Sequence, residues 1–590
     1  MHNFFLHKNI LIFRRFFNSA NRFNKLLYIY ATLALLLPNI ALCITERLSL
    51  WASATNIILP LGIYMLLMSL CKKTGKMIWI CFIMIFFAAF QLVLLYLFGK
   101  GVIAVDMFLN LVTTNPGEAM ELLDNLVPAV AGVFIVYLPL LILGIISIRS
   151  KRWAPLSSNW QRRMHKWGAS TTLTGLVCMG FTYWFSDDYK LQDQLYPANV
   201  FYNLGLAVQR NNASVNYQEA SQNFRFYATS THPADSCEVY VMVVGETARA
   251  HNFSLYGYQR DTNPLLGKTA GLVTFDKVTT QSNTTHKSVP MLLSAASASD
   301  FERLFHEKGI LAAFREAGFH TVFLSNQLPN HSFIDFLGEQ ADEWAFIKTG
   351  DRNEAFDKTY GQTFDKMYGQ GKLAKMDEKG NVYDADLLPI LDQILSRKHQ
   401  KLFIVLHTYG SHFNYMERYP RNMAHFQPDS QSDAKAENRR DLLNAYDNTI
   451  RYTDYVLHSI IERLQKKGGM NAMLYTSDHG ENIFDDSRKL FLHAAPRASH
   501  YELDVPFLIW TSRSYEHQEP RVDAALSKNK HKEIQSSRSA FHTMLQLGGI
   551  ATRYRIDRYS VANSGYHPEP LLYLNDHDEA IPQADCGFDK

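Results

Sequence analysis

The sequence predicts an α-helical transmembrane domain of five helices, followed by an α/β domain with a mostly parallel sheet. Apolar windows of about 20 residues, long enough to cross a hydrocarbon core, occur only in the first third of the chain. After them, strand-like apolar runs alternate with helical stretches, which is the pattern of a parallel sheet covered on both faces. The predicted spans lie near 26–45, 51–71, 78–98, 127–148 and 167–185.

The domain boundaries follow from these changes in composition. We expect a transmembrane domain with five helices over 1–186, a linker over 187–236, and an outer domain over 237–590. The linker is polar and aromatic, and an amphipathic stretch near 200–208 predicts a helix that lies on the bilayer surface.

The distribution of basic residues predicts the topology. Lys and Arg cluster before the first span, between the second and third, and between the fourth and fifth. By the positive-inside rule these segments are cytoplasmic, so everything after residue 185 is extracytoplasmic. The first span is long and four more follow it, so we expect it to stay rather than to be cleaved as a signal peptide.

The net charge and the positions of the cysteines are consistent with this topology. The formal charge of +3 is small for 590 residues, which argues against a nucleic-acid partner. Only Cys237 and Cys586 lie in the outer domain. An oxidising compartment permits a disulfide between them, and two unpaired thiols fit the sequence equally well.

The outer domain contains the runs that we expect to form its sheet and helices. Helices are predicted over Ile310–Ala317, ended by Gly318, and over about 437–467, ended by two glycines. The predicted strands are Val239–Val244, Val273–Val278, Thr321–Ser325, Leu402–Leu406, Met473–Thr476 and Val505–Thr511. In a parallel sheet, functional residues collect at the carboxyl ends of the strands.

Metal ligands follow three of these strands directly. Glu246 follows EVYVMVVG, His407 follows FIVL, and Asp478 with His479 follows MLYTS. Burying such groups at a sheet edge is costly unless they are paired or bound, so the pattern predicts a metal site. The segments HTYGSH (407–412) and LHAAPRASH (492–500) supply histidines for a second metal or for an acid/base pair.

A nucleophile is expected in the hydroxyl-rich segment TTQSNTTHKSVP, 279–290, which follows the predicted strand at 273. A hydroxyl is a poor nucleophile at neutral pH, and a bound zinc ion would favour its ionised form. The composition of the segment leaves Thr279, Thr280, Thr284 and Thr285 as candidates.

Several long motifs resemble the bacterial phosphoethanolamine transferases that modify lipopolysaccharide. The resemblance implies an alkaline-phosphatase-like or sulfatase-like catalytic domain in the periplasm, anchored in the inner membrane. It also implies transfer of phosphoethanolamine from phosphatidylethanolamine to a lipopolysaccharide sugar through a covalent threonine intermediate. The motifs are GETARAHNFSLYGYQRDTNP, TTHKSVP, HTYGSHFNYMERYP, AYDNTIRYTD and SDHGE, in that order.

The resemblance also assigns roles to residues. Thr285 matches the nucleophile, five residues before the proline of the SVP motif. The implied ligands of one catalytic Zn²⁺ are Glu246, Thr285, Asp478 and His479. The implied contacts to the phosphoryl group or to a second zinc are His412 and His493, with His407 as a substrate-binding neighbour.

A predicted outward loop contains NLVTTNPGEAMELL. Its Asn110, Thr114 and Glu118 match residues that the family places near the lipid head group. Asn115, Pro116 and Glu118 also have the order of an N-cap, a first-turn proline and a capping-box glutamate, and the two interpretations are compatible.

The acceptor is left open by departures from the lipid A-modifying members. Those enzymes carry cysteines beside the nucleophile segment, where this chain has Gln281 and Met291. The sequence therefore favours an inner-core heptose or Kdo acceptor over lipid A, with periplasmic glucans behind both. A lipoteichoic acid synthase-like glycerol-phosphate transferase, and an inactive protein that binds anionic lipid head groups through a metal, are the alternatives of other kinds.

Overall fold

The computed structural model describes residues 22–46, 48–98, 101–105, 107–108, 116–186, 189–368, 382–430, 433–494 and 498–586. The chain divides into two compact units. The first comprises residues 1–108 and 120–207, and the second comprises residues 109–119 and 208–590.

The regular elements in the described part of the first unit are all helices. Three of its helices are long and apolar enough to cross a membrane, and a bent pair, Thr74–Ile80 with Phe82–Tyr96, makes up to four. The fifth predicted span lies in Ser158–Phe185, which has 28 residues but is less apolar, so the count of five is not confirmed. The helices that lie wholly or partly in this unit are Phe23–Thr45, Leu50–Ser69, Thr74–Ile80, Phe82–Phe98, Pro116–Arg149, Ser158–Phe185, Leu191–Gln194 and Ala198–Val215.

Small residues bring the helices Leu50–Ser69 and Ser158–Phe185 into close contact. A Cβ atom on Gly175 would lie 2.5 Å from the Cα of Leu59, so only glycine fits there. The hydroxyls of Thr55 and Thr182 are 2.8 Å apart in the same contact. Close approach through glycine with a buried polar pair is the packing mode typical of membrane helices.

The second unit is built on a seven-stranded sheet within the described residues. We label its strands β1 to β7 in chain order, and their order across the sheet is β2-β7-β6-β1-β5-β3-β4. Strand β7 is antiparallel to β2 and β6, and the other neighbours are parallel. The strands are β1 Glu238–Gly245, β2 Leu272–Thr274, β3 His320–Ser325, β4 Glu343–Phe346, β5 Lys401–His407, β6 Met470–Ser477 and β7 Phe507–Thr511.

The predicted strands are all present, with three differences. The predicted run Val273–Val278 is divided between β2 and a short strand Val278–Thr279, and Val505 lies before β7. Strand β4 was not predicted. The remaining strands form two-stranded pairs: Thr229–Ser230 with Ile550–Ala551, Val278–Thr279 with Ile534–Gln535, Asn482–Ile483 with Phe491–Leu492, and Leu572–Leu574 with Ala580–Pro582.

Helices cover the sheet and complete the core. All eight residues of β1 are buried, as expected for a parallel strand covered on both faces. The two predicted helices are confirmed as Ile310–Glu316 and Arg439–Lys467. The others are Tyr217–Ser221, Thr285–Leu293, Phe333–Gly338, Glu354–Tyr368, Leu387–Ser396, His500–Leu503, Arg513–Gln518, Pro520–Asn529 and Ser536–Leu547.

The two outer cysteines are both free in the structure. Cys237 is exposed just before β1, whereas Cys586 is buried near the end of the described chain. Of the two arrangements that the sequence allowed, the structure has the unpaired one.

Candidate functional site

Two neighbouring parallel strands end together and bring three ligand-type side chains to one place. Gly245 of β1 pairs with Ser477 of β6, so Glu246 and the pair Asp478–His479 leave the sheet side by side. All three are buried. One ligand atom from each lies within 4.8 Å of the others, which is the spacing of groups that can hold one metal ion.

Thr285 joins this cluster from the start of the helix Thr285–Leu293. Its Oγ1 lies 3.1 Å from Glu246 Oε1 and 3.1 Å from His479 Nε2. Of the four candidate threonines, Thr285 is the one that contacts these two ligand-type side chains. The amino end of a helix carries partial positive charge, so the position also suits an anionic substrate.

The imidazole of His479 is presented in the form that binds metals. Its Nδ1 lies 2.9 Å from the Gly480 carbonyl oxygen, to which it donates a hydrogen bond. Nε2 then carries no proton, and its lone pair is available to a metal. This atom lies 3.3 Å from Asp478 Oδ2 and 3.5 Å from Glu246 Oε1. Burial, followed by the neighbouring His493, lowers the pKa of His479 to about 3, so the ring is neutral at physiological pH.

The two carboxylates would repel each other without a cation. Burial and then the nearby Glu246 carboxylate raise the pKa of Asp478 well above its ordinary value. Backbone N–H groups of Thr247 and His479 donate to Asp478 Oδ1 at 3.0 and 2.7 Å, which fixes the other oxygen toward the cluster. Two carboxylates, a neutral imidazole and a hydroxyl are a donor set that suits a four-coordinate zinc ion.

The other predicted histidines lie around the cluster rather than in it. The ring centre of His493 is 4.2 Å from that of His479, and His412 is 6.3 Å from His493. His493 Nδ1 and Glu481 Oε1 are 3.6 Å apart, and each lacks a hydrogen-bond partner among the described residues. This pair leaves polar atoms for a substrate or a second ion.

His407 is buried at the end of β5. Its Nδ1 lies 3.2 Å from Ser325 Oγ, and its Nε2 has no hydrogen-bond partner within the described chain. Burial lowers the pKa of His407 to about 4, so the ring is neutral. A direct role in substrate binding stays a prediction.

Two residues that the sequence did not single out hold Glu246. Gln327 Nε2 donates to Glu246 Oε2 at 3.0 Å and to the Thr408 carbonyl oxygen at 2.9 Å. Thr247 Oγ1 donates to Glu246 Oε1 at 2.9 Å from a backbone with φ of 61°, an unfavourable region for a β-branched residue. Gln327 lies two residues past β3, so the strand-end rule could have found it.

Of the three predicted head-group residues, only Glu118 lies in the described part of the chain. Asn110 and Thr114 lie outside the described residues. The helix Pro116–Arg149 begins at Pro116, as the capping interpretation predicts, and it contains Glu118. Binding of a lipid head group by these three residues stays a prediction.

Comparison with known proteins gives one family and several relatives. Residues 238–550, just over half of the chain, match the sulfatase family model. The phosphoethanolamine transferase EptA of Escherichia coli K12 is 29% identical over 322 residues, 53% of this chain and 54% of that protein. The phosphatidylethanolamine transferase Mcr-1 of Escherichia coli is 26% identical over 429 residues, 69% of this chain and 73% of that protein. The chain thus spans about half the length of EptA.

Solved structures show the same fold at low identity. The lipooligosaccharide phosphoethanolamine transferase A of Neisseria meningitidis has a TM-score of 0.68 at 20% identity, covering 91% of this chain and 97% of that chain. The periplasmic domain of Escherichia coli EptC in complex with Zn has a TM-score of 0.51 at 22% identity, covering 61% and 95%. The resemblance to phosphoethanolamine transferases that the motifs predict is confirmed by these comparisons. With its strand-end cluster and the match over residues 238–550, the chain belongs to the sulfatase family.

Proposed function

We propose that this protein is a zinc-dependent phosphoethanolamine transferase that acts through Thr285. The observation that carries the proposal is the contact of Thr285 Oγ1 with both Glu246 and His479 at 3.1 Å. A hydroxyl placed against two ligand-type side chains is set up for ionisation by a bound cation. The names of the relatives, among them a Kdo(2)-lipid A phosphoethanolamine 7''-transferase of Escherichia coli, support this type of transfer.

The donor would be phosphatidylethanolamine, and the reaction would have two steps. Zinc held by Glu246, Asp478 and His479 together with Thr285 would supply the positive charge that favours the ionised hydroxyl and offsets charge on the phosphate. In the first step, Thr285 Oγ1 bonds to phosphorus as the bond to diacylglycerol breaks. In the second, an acceptor hydroxyl bonds to phosphorus and Thr285 is released, which gives ping-pong kinetics.

The histidines beside the cluster would move the protons. The ring centre of His493 lies 4.2 Å from that of His479 and 6.3 Å from that of His412, and this proximity to the cluster supports a role for both rings beside the phosphoryl group. One of them would protonate the departing diacylglycerol oxygen and then accept the proton of the acceptor hydroxyl. Glu481 and His493 could instead hold a second zinc. This is an alternative to proton transfer by His493, because both roles would use the same ring nitrogen.

The proposal extends to the location of the protein and to the acceptor of the phosphoethanolamine group. We infer an inner-membrane protein with five spans and a periplasmic catalytic domain, with Asn110, Thr114, Glu118 and His407 near the substrate. An inner-core heptose or Kdo of lipopolysaccharide is favoured, then lipid A, then a periplasmic glucan. Glycerol-phosphate transfer of the lipoteichoic acid synthase type is the remaining alternative.

The test uses full-length protein in detergent mixed with phosphatidylethanolamine. We expect mass spectrometry of a digest to find phosphoethanolamine on the peptide that contains Thr285. The Thr285→Ala variant should form no adduct and should still bind zinc through the other three ligands. An adduct on another residue, or transfer that persists in the variant, contradicts the proposal.

A second measurement identifies the acceptor. Lipopolysaccharide from cells with and without the protein is compared by mass spectrometry, and fragmentation locates any added phosphoethanolamine. An addition on the inner core is expected. If neither core nor lipid A gains the group, the glucan becomes the favoured acceptor.

A further inference from the structure

A groove of about 1160 Å³ lies in the second unit, outside the zinc cluster. None of the cluster residues Glu246, Thr285, Asp478 and His479 lines it. Its walls include three separate segments, 256–260, 275–279 and 582–584, together with residues from other parts of the second unit. A cavity of this volume is large enough for a ligand of several rings.

One wall is a rigid aromatic surface. Tyr256 and Tyr258 flank Gly257, whose φ of 93° turns the chain between them. The Tyr256 hydroxyl accepts a hydrogen bond from the Phe507 N–H at 3.1 Å, and the Tyr258 hydroxyl donates to Asp447 Oδ2 at 2.9 Å. Since both hydroxyls are engaged within the protein, these residues offer the groove fixed ring surface at little entropic cost.

The rim is polar and nearly balanced in charge. Gln259, Lys277 and Glu533 line it and are exposed, and their side chains form no hydrogen bond or salt bridge with the described residues. His251 and Asp504, also at the rim, are paired at 2.8 Å. The polar and charged groups at the rim do not suit an acyl chain, and their near balance of charge does not suit a polyanion, which needs an excess of cations. Ring surface with donors and acceptors around it suits a polyhydroxylated ring.

The groove is close enough to the nucleophile to hold another part of the same substrate. Thr279 lines the groove and precedes Thr285 by six residues. Even a fully extended segment of that length spans only about 20 Å. Resting on the proposed function, we infer that the groove binds saccharide units of the acceptor that lie beyond the sugar receiving phosphoethanolamine. Binding there raises the local concentration of the acceptor hydroxyl at the site.

The test measures saccharide binding directly. Full-length protein in detergent is titrated calorimetrically with the core oligosaccharide released from lipopolysaccharide and freed of lipid and phosphate. The test variant combines Gln259→Ala, Lys277→Ala and Glu533→Ala. The matched control combines Gln400→Ala, Lys398→Ala and Glu302→Ala, three exposed residues of the same types outside the groove.

The wild type and the control variant should bind the oligosaccharide alike, and the test variant should bind it roughly ten-fold more weakly. Absence of saturable binding to the wild type, or equal binding by both variants, overturns the inference. The Thr285 adduct, measured on the wild type without any saccharide, reports on the proposed function separately. A missing adduct with intact groove binding would therefore reject the chemistry and keep the saccharide site.

Discussion

At the scale of single residues, Glu246 shows how the cluster is fixed. Its Oε1 accepts hydrogen bonds from Thr247 and Thr285, and its Oε2 accepts one from Gln327. Three segments of the chain therefore set the orientation of one carboxylate. Residues that orient a metal ligand themselves contribute to the affinity for the metal.

Replacing Gln327 with Ala tests this orientation. The variant leaves Glu246 Oε2 without its side-chain donor, so we expect zinc affinity to fall by about 10- to 100-fold. Competition with a chromophoric chelator measures the affinity of the full-length protein. Gln518→Ala, at an exposed position, is the control and should bind as the wild type does. Equal affinity of all three proteins would show that Gln327 does not orient the ligand.

The sequence could predict the strand-end cluster better than the contacts around it. Glu246, Asp478 and His479 directly follow strongly apolar strands, so their convergence was visible in the pattern. The choice among the four threonines was not visible in the pattern, because it depends on contacts with residues that are distant in sequence. Thr280 Oγ1 lies 3.0 Å from Ser537 Oγ, for example, whereas Thr285 Oγ1 points to the cluster.

At the scale of elements, continuous apolar runs predicted the central strands because parallel strands are buried on both faces. Strand β4, Glu343–Phe346, was missed since it is four residues long and begins with a charged residue. The antiparallel direction of β7 could not be read from its composition, because direction depends on how the chain returns to the sheet. The helix Ser536–Leu547 was also missed, and it contains a histidine in the core.

That histidine, His542, predicts a pH dependence of stability. It is 2% exposed, and its Nδ1 accepts a hydrogen bond from the Ile556 N–H at 3.1 Å. Burial, followed by the charge of Arg303, lowers the pKa of His542 to about 3. In the unfolded chain the ring takes up a proton near pH 6.5, whereas in the folded protein it stays neutral. The contribution of His542 to the free energy of unfolding is therefore fully present above pH 6.5 and is lost as pH falls toward 3.

The His542→Asn variant keeps an acceptor and removes the titration. Between pH 7.5 and 5.5, the wild type should lose about 1.4 kcal/mol more unfolding free energy than the variant. Pulse proteolysis of the full-length protein in urea gives the two values. His517→Asn, in a surface helix, is the control and should lose as much as the wild type. Parallel pH profiles of wild type and His542→Asn would contradict the assignment.

At the scale of the whole molecule, the chain combines a helical unit with a sulfatase-family unit. Three or four helices have the mean hydropathy of a membrane span. The helix Ser158–Phe185 has a lower mean hydropathy, because Gly, Ser and Thr stand in place of larger apolar residues. The same small residues let this helix pack closely against Leu50–Ser69. Composition alone therefore cannot decide the number of spans, since the residues that pack membrane helices are weakly apolar.

Native cysteines test the proposed topology. Cys237 is exposed in the second unit, whereas Cys586 is buried. In spheroplasts, a membrane-impermeant maleimide added outside should label the wild type, and Cys237→Ser should abolish that labelling. Cys586 should react only after denaturation. Labelling of Cys237 that requires cell lysis would place the second unit in the cytoplasm and reject the topology.

The central claim is that Glu246, Thr285, Asp478 and His479 hold one zinc ion. The most direct test is anomalous diffraction at the zinc edge from crystals of the full-length protein grown with zinc. We expect one strong peak about 2 Å from an atom of each of the four side chains. A zinc ion bound elsewhere, with these four side chains free of metal, would contradict it.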